Sequence, residues 1–66
     1  MRVKLKRIEK GFKQFELAKI VGISSTYLRQ IESGQANPTK DIMEKIASAL
    51  DTPAGVLFFE EDREVI

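Results

Sequence analysis

A chain of 66 residues with 11 Lys/Arg and 10 Asp/Glu is long enough for one small domain with a modest core. It holds no Cys and no His. That excludes disulfides, thiolate or imidazole zinc sites, and catalysis by Cys–His or Ser–His pairs. The net charge of +1 is unevenly placed: residues 1–30 carry eight Lys/Arg and two Asp/Glu, residues 31–66 three and eight. A basic half suits an anionic partner such as nucleic acid, and equally a solvated surface with a chance imbalance.

Five helices joined by short connections are predicted, with no strand pattern of length, so the class is all-α. The first spans residues 2–9 and offers Val3, Leu5 and Ile8 as inward positions. Gly11 suits the left-handed residue that ends a helix. The second spans 14–20. Its Leu17, Ala18 and Val21 form a buried stripe, and Gly22 makes a tight turn. The third follows Ser24, a good N-cap, and closes at Ser33-Gly34. In the loop "QANPT", Asn37-Pro38 is a turn signal. Thr39 caps a fourth helix over 40–50, where Ile42, Ile46 and Leu50 recur every four residues. Thr52-Pro53 reads as the N-cap and first residue of a short fifth helix, with Val56 and Leu57 inward. The tail "FEEDREVI" is acidic with an apolar tip. It suits a frayed terminus, a short strand, or a dimer contact made by Phe58, Phe59, Val65 and Ile66; the dimer contact is favoured for part of it.

The longest apolar run, Val56 to Phe59, is far short of the roughly 20 residues that span a bilayer. The basic N-terminus lacks a signal-peptide core. Cytoplasmic residence without a membrane partner is therefore expected. A domain this small rarely encloses a substrate pocket of the usual several hundred Å³, so the expectation is a non-enzyme with no cofactor and no metal.

Two short helices joined at a glycine suggest a helix-turn-helix. On the third helix, Leu28 and Ile31 point one way while Thr26 and Ser33 point nearly opposite. Arg29 and Gln30 flank that polar centre, Ser25 lies at its edge, and Tyr27 lies between the faces. A solvated face would more often carry Glu, Lys and Ala. Ser, Thr, Arg and Gln are instead groups that hydrogen-bond to base edges: Gln to adenine, Arg to guanine, Ser or Thr to several partners. Readout of bases is favoured over the bland reading, in which Ser24 and Ser25 only cap the helix and Thr26 is solvated.

The segment "KGFKQFELAKIVGISSTYLRQIESGQANPT" resembles the phage-repressor/Cro-type helix-turn-helix family of small bacterial and phage transcriptional regulators. The matched positions are Gln14, Glu16-Leu17-Ala18, Gly22, Ser24, Ile31-Glu32, Gly34 and Asn37-Pro38-Thr39. The likeness covers residues 2–58. It implies a five-helix lambda-repressor-like DNA-binding domain over 1–58, with the helix-turn-helix in helices 2 and 3; the acidic tail over 59–66 lies beyond it.

The function it implies is sequence-specific binding of double-stranded DNA. A homodimer would lie on a palindromic operator, most often as a repressor, with half-sites about one turn (~34 Å) apart. Ser25, Thr26, Arg29 and Gln30 match base-facing positions, with a phosphate contact as the alternative for Arg29. Gln14, at a helix start, matches a phosphate or base contact. Tyr27 either packs or touches the DNA backbone. Gln35 and Asn37 match a backbone-contacting loop, and Lys40 lies just beyond it. Lys4 and Lys6 are distal phosphate candidates or solvated. Arg7 and Glu32 match a structural ion pair. RNA polymerase or a regulatory protein is a further candidate partner. The rival reading is a protein-interaction module of the same fold, such as an antitoxin.

The chain departs from the family at Lys13, where the usual N-cap is Ser, Thr or Asn. A lysine cannot accept the free N–H groups and its charge opposes the helix dipole, so a nearby phosphate would suit it. Phe15 and Ile20 stand where polar residues are common. They either extend the core or mark a partner surface.

Overall fold

The computed structural model describes residues 1–59. The expectations for Val65 and Ile66 lie outside that range. Four α-helices follow one another: α1 (Val3–Glu9), α2 (Gln14–Val21), α3 (Ser25–Glu32) and α4 (Lys40–Ala49). A single π-helical turn, α5 (Gly55–Phe59), completes the described chain. Among the described residues there is no strand, and no helix is long and apolar enough to cross a membrane.

One core joins all five elements. Val3, Leu17, Ala18, Val21, Leu28, Ile31, Ile46, Leu50 and Leu57 are buried. α2 packs on both α3 and α4, and α1 packs on α5. The Arg2 N–H donates to the Leu57 carbonyl at 2.9 Å, which ties the start of the chain to its last described turn. Partly buried Phe12, Ile23, Tyr27, Ile42, Ala47 and Phe58 border this centre.

Helix ends follow local chemistry. The Ser24 hydroxyl accepts from the Tyr27 N–H at 3.0 Å, and the Thr39 hydroxyl from the Ile42 N–H at 3.2 Å. α2 has no such cap from Lys13. Its Glu16 carboxylate reaches back to accept the Lys13 N–H at 2.8 Å, which satisfies one free donor and places negative charge in the first turn.

Each α-helix then closes through a residue with positive φ. Gly22 (φ 88) lets the Ile23 N–H reach the Ala18 carbonyl at 3.0 Å, and so makes the turn between α2 and α3. α4 ends on Asp51 (φ 51) with the same closure, Thr52 N–H to Ala47 carbonyl at 3.1 Å. Aspartate tolerates this region better than most side chains.

Several expectations are corrected. Leu5 and Ile8 are each 56% exposed, and the inward strip of α1 is Val3 with Arg7. The reason is the register: positions four apart share a helix face, and the Arg7 guanidinium is drawn in by partners described below. The Thr52 hydroxyl does not cap the fifth helix; it donates to the Leu50 carbonyl at 2.9 Å, behind it in the chain. In α5 only Leu57 is buried, while Val56 is half-buried. Phe15 and Ile20 do not extend the core, being 59% and 57% exposed.

Candidate nucleic-acid interface

Burial of Leu28 and Ile31 against α2 fixes how α3 is turned. Its opposite side is therefore held outward: Ser25, Thr26, Arg29 and Ser33 are exposed and Gln30 is half-buried. The Ser33 hydroxyl donates to the Gln30 carbonyl at 3.2 Å, within the helix's last turn. Tyr27 is half-buried and packs against the core. The outward surface combines hydroxyls, an amide and a guanidinium. These are donors and acceptors suited to base edges and phosphates.

Behind this surface lies a polar cluster that joins three helices. The Arg7 guanidinium of α1 grips the Glu32 carboxylate of α3 at both oxygens, through Nε at 2.7 Å and Nη2 at 3.2 Å. Its Nη1 donates to the Phe12 carbonyl at 3.0 Å. The Glu32 side chain is only 3% exposed. Its Oε1 also accepts from the Gln14 amide at 3.0 Å. A carboxylate beside a guanidinium can only accept, so the NH₂ of Gln14 faces it and the amide carbonyl is turned away. One buried acid thus fixes α1 to α3 and sets the side chain at the start of α2. Such a bidentate pair, with the third guanidinium nitrogen also bonded to the Phe12 carbonyl, is the arrangement in which a buried ion pair holds geometry.

The remaining named residues fall into two groups. Lys4, Gln14, Arg29, Glu32 and Ser33 line one shallow cleft between α1, the start of α2, and α3. Lys13, Gln35 and Lys40 are exposed elsewhere. Asn37 is also exposed and lies in a different recess, with Met1, Pro38, Met43, Phe58 and Phe59. Phe59 is 67% exposed and Phe58 half-buried. Lys6 is not in the cleft; it pairs with Glu9 of its own helix at 3.3 Å. The link from Gln14 to Glu32 is not legible in the sequence, because it spans 18 positions with no local pattern. The strip Arg29, Glu32, Ser33 is legible, since residues three and four apart are neighbours on a helix.

A compact helical domain with two short helices joined at a left-handed glycine, and a polar second helix face held outward, defines a helix-turn-helix protein. The family model described as "Helix-turn-helix" matches residues 3–57. The chain therefore belongs to the helix-turn-helix family, in its phage-repressor/Cro-type branch. It is 39% identical over 62 residues to the HTH-type transcriptional regulator SinR of Bacillus licheniformis, covering 92% of this chain and 56% of that protein. It is 41% identical over 59 residues to the ImmF control region 10 kDa protein of Bacillus phage phi105, covering 89% of this chain and 66% of that one. The chain thus spans little more than half to about two thirds of these two relatives. In structure it is similar to the N-terminal DNA binding domain of SinR from Bacillus subtilis, with a TM-score of 0.84 and 35% identity over 94% of this chain and 91% of that one.

Proposed function

We propose that this chain is a sequence-specific DNA-binding module of a transcriptional regulator. The observation that carries the reading is the outward polar face of α3, anchored from behind by Leu28 and Ile31. Its likeness to the N-terminal DNA binding domain of SinR supports the same conclusion. α3 would enter the major groove, with Thr26, Gln30 and Ser25 toward base edges and Arg29 at the flank. Gln14 and Lys13, at the start of α2, would meet the backbone where helix N–H groups favour phosphate. Gln35, Asn37 and Lys40 would supply further backbone contacts, which position the module without reading sequence.

The assembly proposed with this reading is a homodimer on a palindromic operator, since closed twofold pairs are the commonest oligomers. Exposed Phe59 and half-buried Phe58 are its candidate contacts. A dimer on a promoter would repress by excluding polymerase.

Selection of bound duplexes from a random DNA library tests the whole reading. An enriched site with twofold symmetry is expected; retention without enrichment would sink sequence-specific recognition, and an enriched site without symmetry would remove the dimer. Gln30→Ala should weaken binding to the enriched site by about 1–3 kcal/mol and relax preference at one base pair. An equal loss on all sequences would instead make Gln30 a backbone contact.

A further inference from the structure

The outer side of α1 carries an apolar strip. Met1, Leu5 and Ile8 stand four and three positions apart, so they follow one side of the helix and its lead-in. Each is half or more exposed. They line a recess whose rim includes Lys4 and Glu32. The Glu32 carboxylate is already held by Arg7, while Lys4 is exposed. An apolar floor with a basic rim fits a segment that is acidic and carries apolar side chains.

The described chain ends beside this strip. α5 packs on α1, and the Arg2 N–H is bonded to the Leu57 carbonyl. Phe58 and Phe59 share a second recess with Met1. Met1 thus borders both the last described turn and the recess of Leu5 and Ile8. Seven residues follow, "EEDREVI", with four acids, one Arg and two apolar residues at the tip. Residues 1–10 carry the opposite charge, five Lys/Arg against one Glu. Extended, seven residues reach up to about 23 Å, and α1 is only about 10 Å long.

From this we infer that residues 60–66 dock along α1 of their own chain. Glu60, Glu61 and Asp62 lie beside Lys4, and Val65 and Ile66 cover Leu5 and Ile8. The order of the segment matches the order of the strip from its Met1 end. The same chain is favoured over a second copy on two grounds. A short tether holds the segment at an effective concentration on the order of millimolar. Three side chains also offer far less than the roughly 800 Å² per partner of a stable interface between proteins. The docked segment closes the strip to other molecules and lowers the positive charge of α1. It can lift off before the core unfolds, so docking shows in its position rather than in the unfolding midpoint.

The chain has no Cys, so Arg63→Cys gives a single site for a nitroxide label and leaves every group named above in place. Broadening of amide NMR signals is read along the 66-residue chain. It should be strongest at residues 4–9. Leu5→Gln with Ile8→Gln should remove most of it, and salt at about 1 M, which screens charges beyond about 3 Å, should reduce it. A dispersed spectrum reports that the double variant is folded; Ile8→Ala alone serves if it is not. Broadening spread evenly over the chain, or unchanged by these replacements, would overturn the docking. Isotope-labelled chains mixed with spin-labelled, isotope-free ones should show no broadening. Broadening in that mixture would give the strip to the segment of a second copy and overturn docking within one chain. No readout involves DNA, so the inference stands or falls apart from the DNA-binding reading.

Discussion

Helices α1 and α3 are of nearly equal length, seven and eight residues, and both border the same cleft. They are anchored by opposite means. α3 buries two aliphatic side chains, Leu28 and Ile31, and turns its polar groups outward. α1 buries one aliphatic side chain and a charged one, Val3 and Arg7, and leaves Leu5 and Ile8 more than half exposed. Apolar spacing locates a helix's inner face only when the core is what holds the helix. α1 is held instead by the Arg7–Glu32 pair and by the bond from Arg2 to Leu57. One consequence is functional. The device that positions α1 is the same one that sets Gln14 at the start of α2, so α1 is coupled to the candidate interface without needing to touch a base.

The largest effect is expected from removing the charge partner of Arg7. Glu32→Ala leaves the buried Arg7 guanidinium with only the Phe12 carbonyl, and should cost about 3–5 kcal/mol. For a chain of this size that is a large share of a total of roughly 3–10 kcal/mol, so urea unfolding should shift markedly or the chain should fail to fold. A loss below about 1 kcal/mol would show that α1 does not depend on the pair. The companion variant keeps the question answerable if Glu32→Ala does not fold. Replacing both partners, Arg7→Met with Glu32→Leu, removes the charges together and should be much less destabilising than the single change. In that double variant Gln14 also loses its acceptor, so DNA affinity should fall even where stability recovers.

The matching change on the other side of the comparison is Leu28→Ala. Leu28 is fully buried between α3 and its neighbours, and truncation removes contacts and leaves a cavity. The expected loss is about 2–5 kcal/mol by denaturant unfolding. A loss under about 1 kcal/mol would mean that α3 is held by its polar links to Gln14 and Arg7 rather than by its apolar side.

How much of this was legible depends on where each residue's partner lies. α2, α3 and α4 could be read because Leu17, Val21, Leu28, Ile31, Ile46 and Leu50 recur at helical spacing and do face one core. Ser24 and Thr39 could be read because a cap acts within three residues. The outward face of α3 followed from the same periodicity. In α1 the apolar spacing misleads because Arg7 finds Glu32 across 25 positions, and nothing local says that a cation will take an inward place. The π-helical form of α5 was equally hidden. Just before it the Pro53 carbonyl accepts from the N–H of Val56 at 3.0 Å and of Leu57 at 3.2 Å, bonds of three- and four-residue spacing that give no local sign of a π-helical turn. The family resemblance supplied the pairing of Arg7 with Glu32, but neither it nor the spacing revealed that Gln14 shares the same carboxylate.

At Leu5 and Ile8 little effect is expected, although the periodicity of α1 and its geometry give opposite answers there. Leu5 and Ile8 were the periodic candidates for the core, yet each is 56% exposed. Replacing both by Gln keeps helix propensity nearly constant for Leu and improves it slightly for Ile, so the change reports burial rather than helicity. If the two side chains face solvent, as the geometry has it, each replacement should alter stability by no more than about 0.5 kcal/mol. If they were packed as the spacing suggested, the pair would cost several kcal/mol, as core truncations do. Denaturant midpoints of the double variant separate these outcomes cleanly. The same variant bears on the cleft, since Lys4 and Glu32 also border the recess that holds Leu5 and Ile8. Unchanged stability with unchanged DNA affinity would show that Leu5 and Ile8 take no part in meeting the duplex. Unchanged stability with weaker dimerisation would show instead that this exposed apolar strip takes part in the contact between copies.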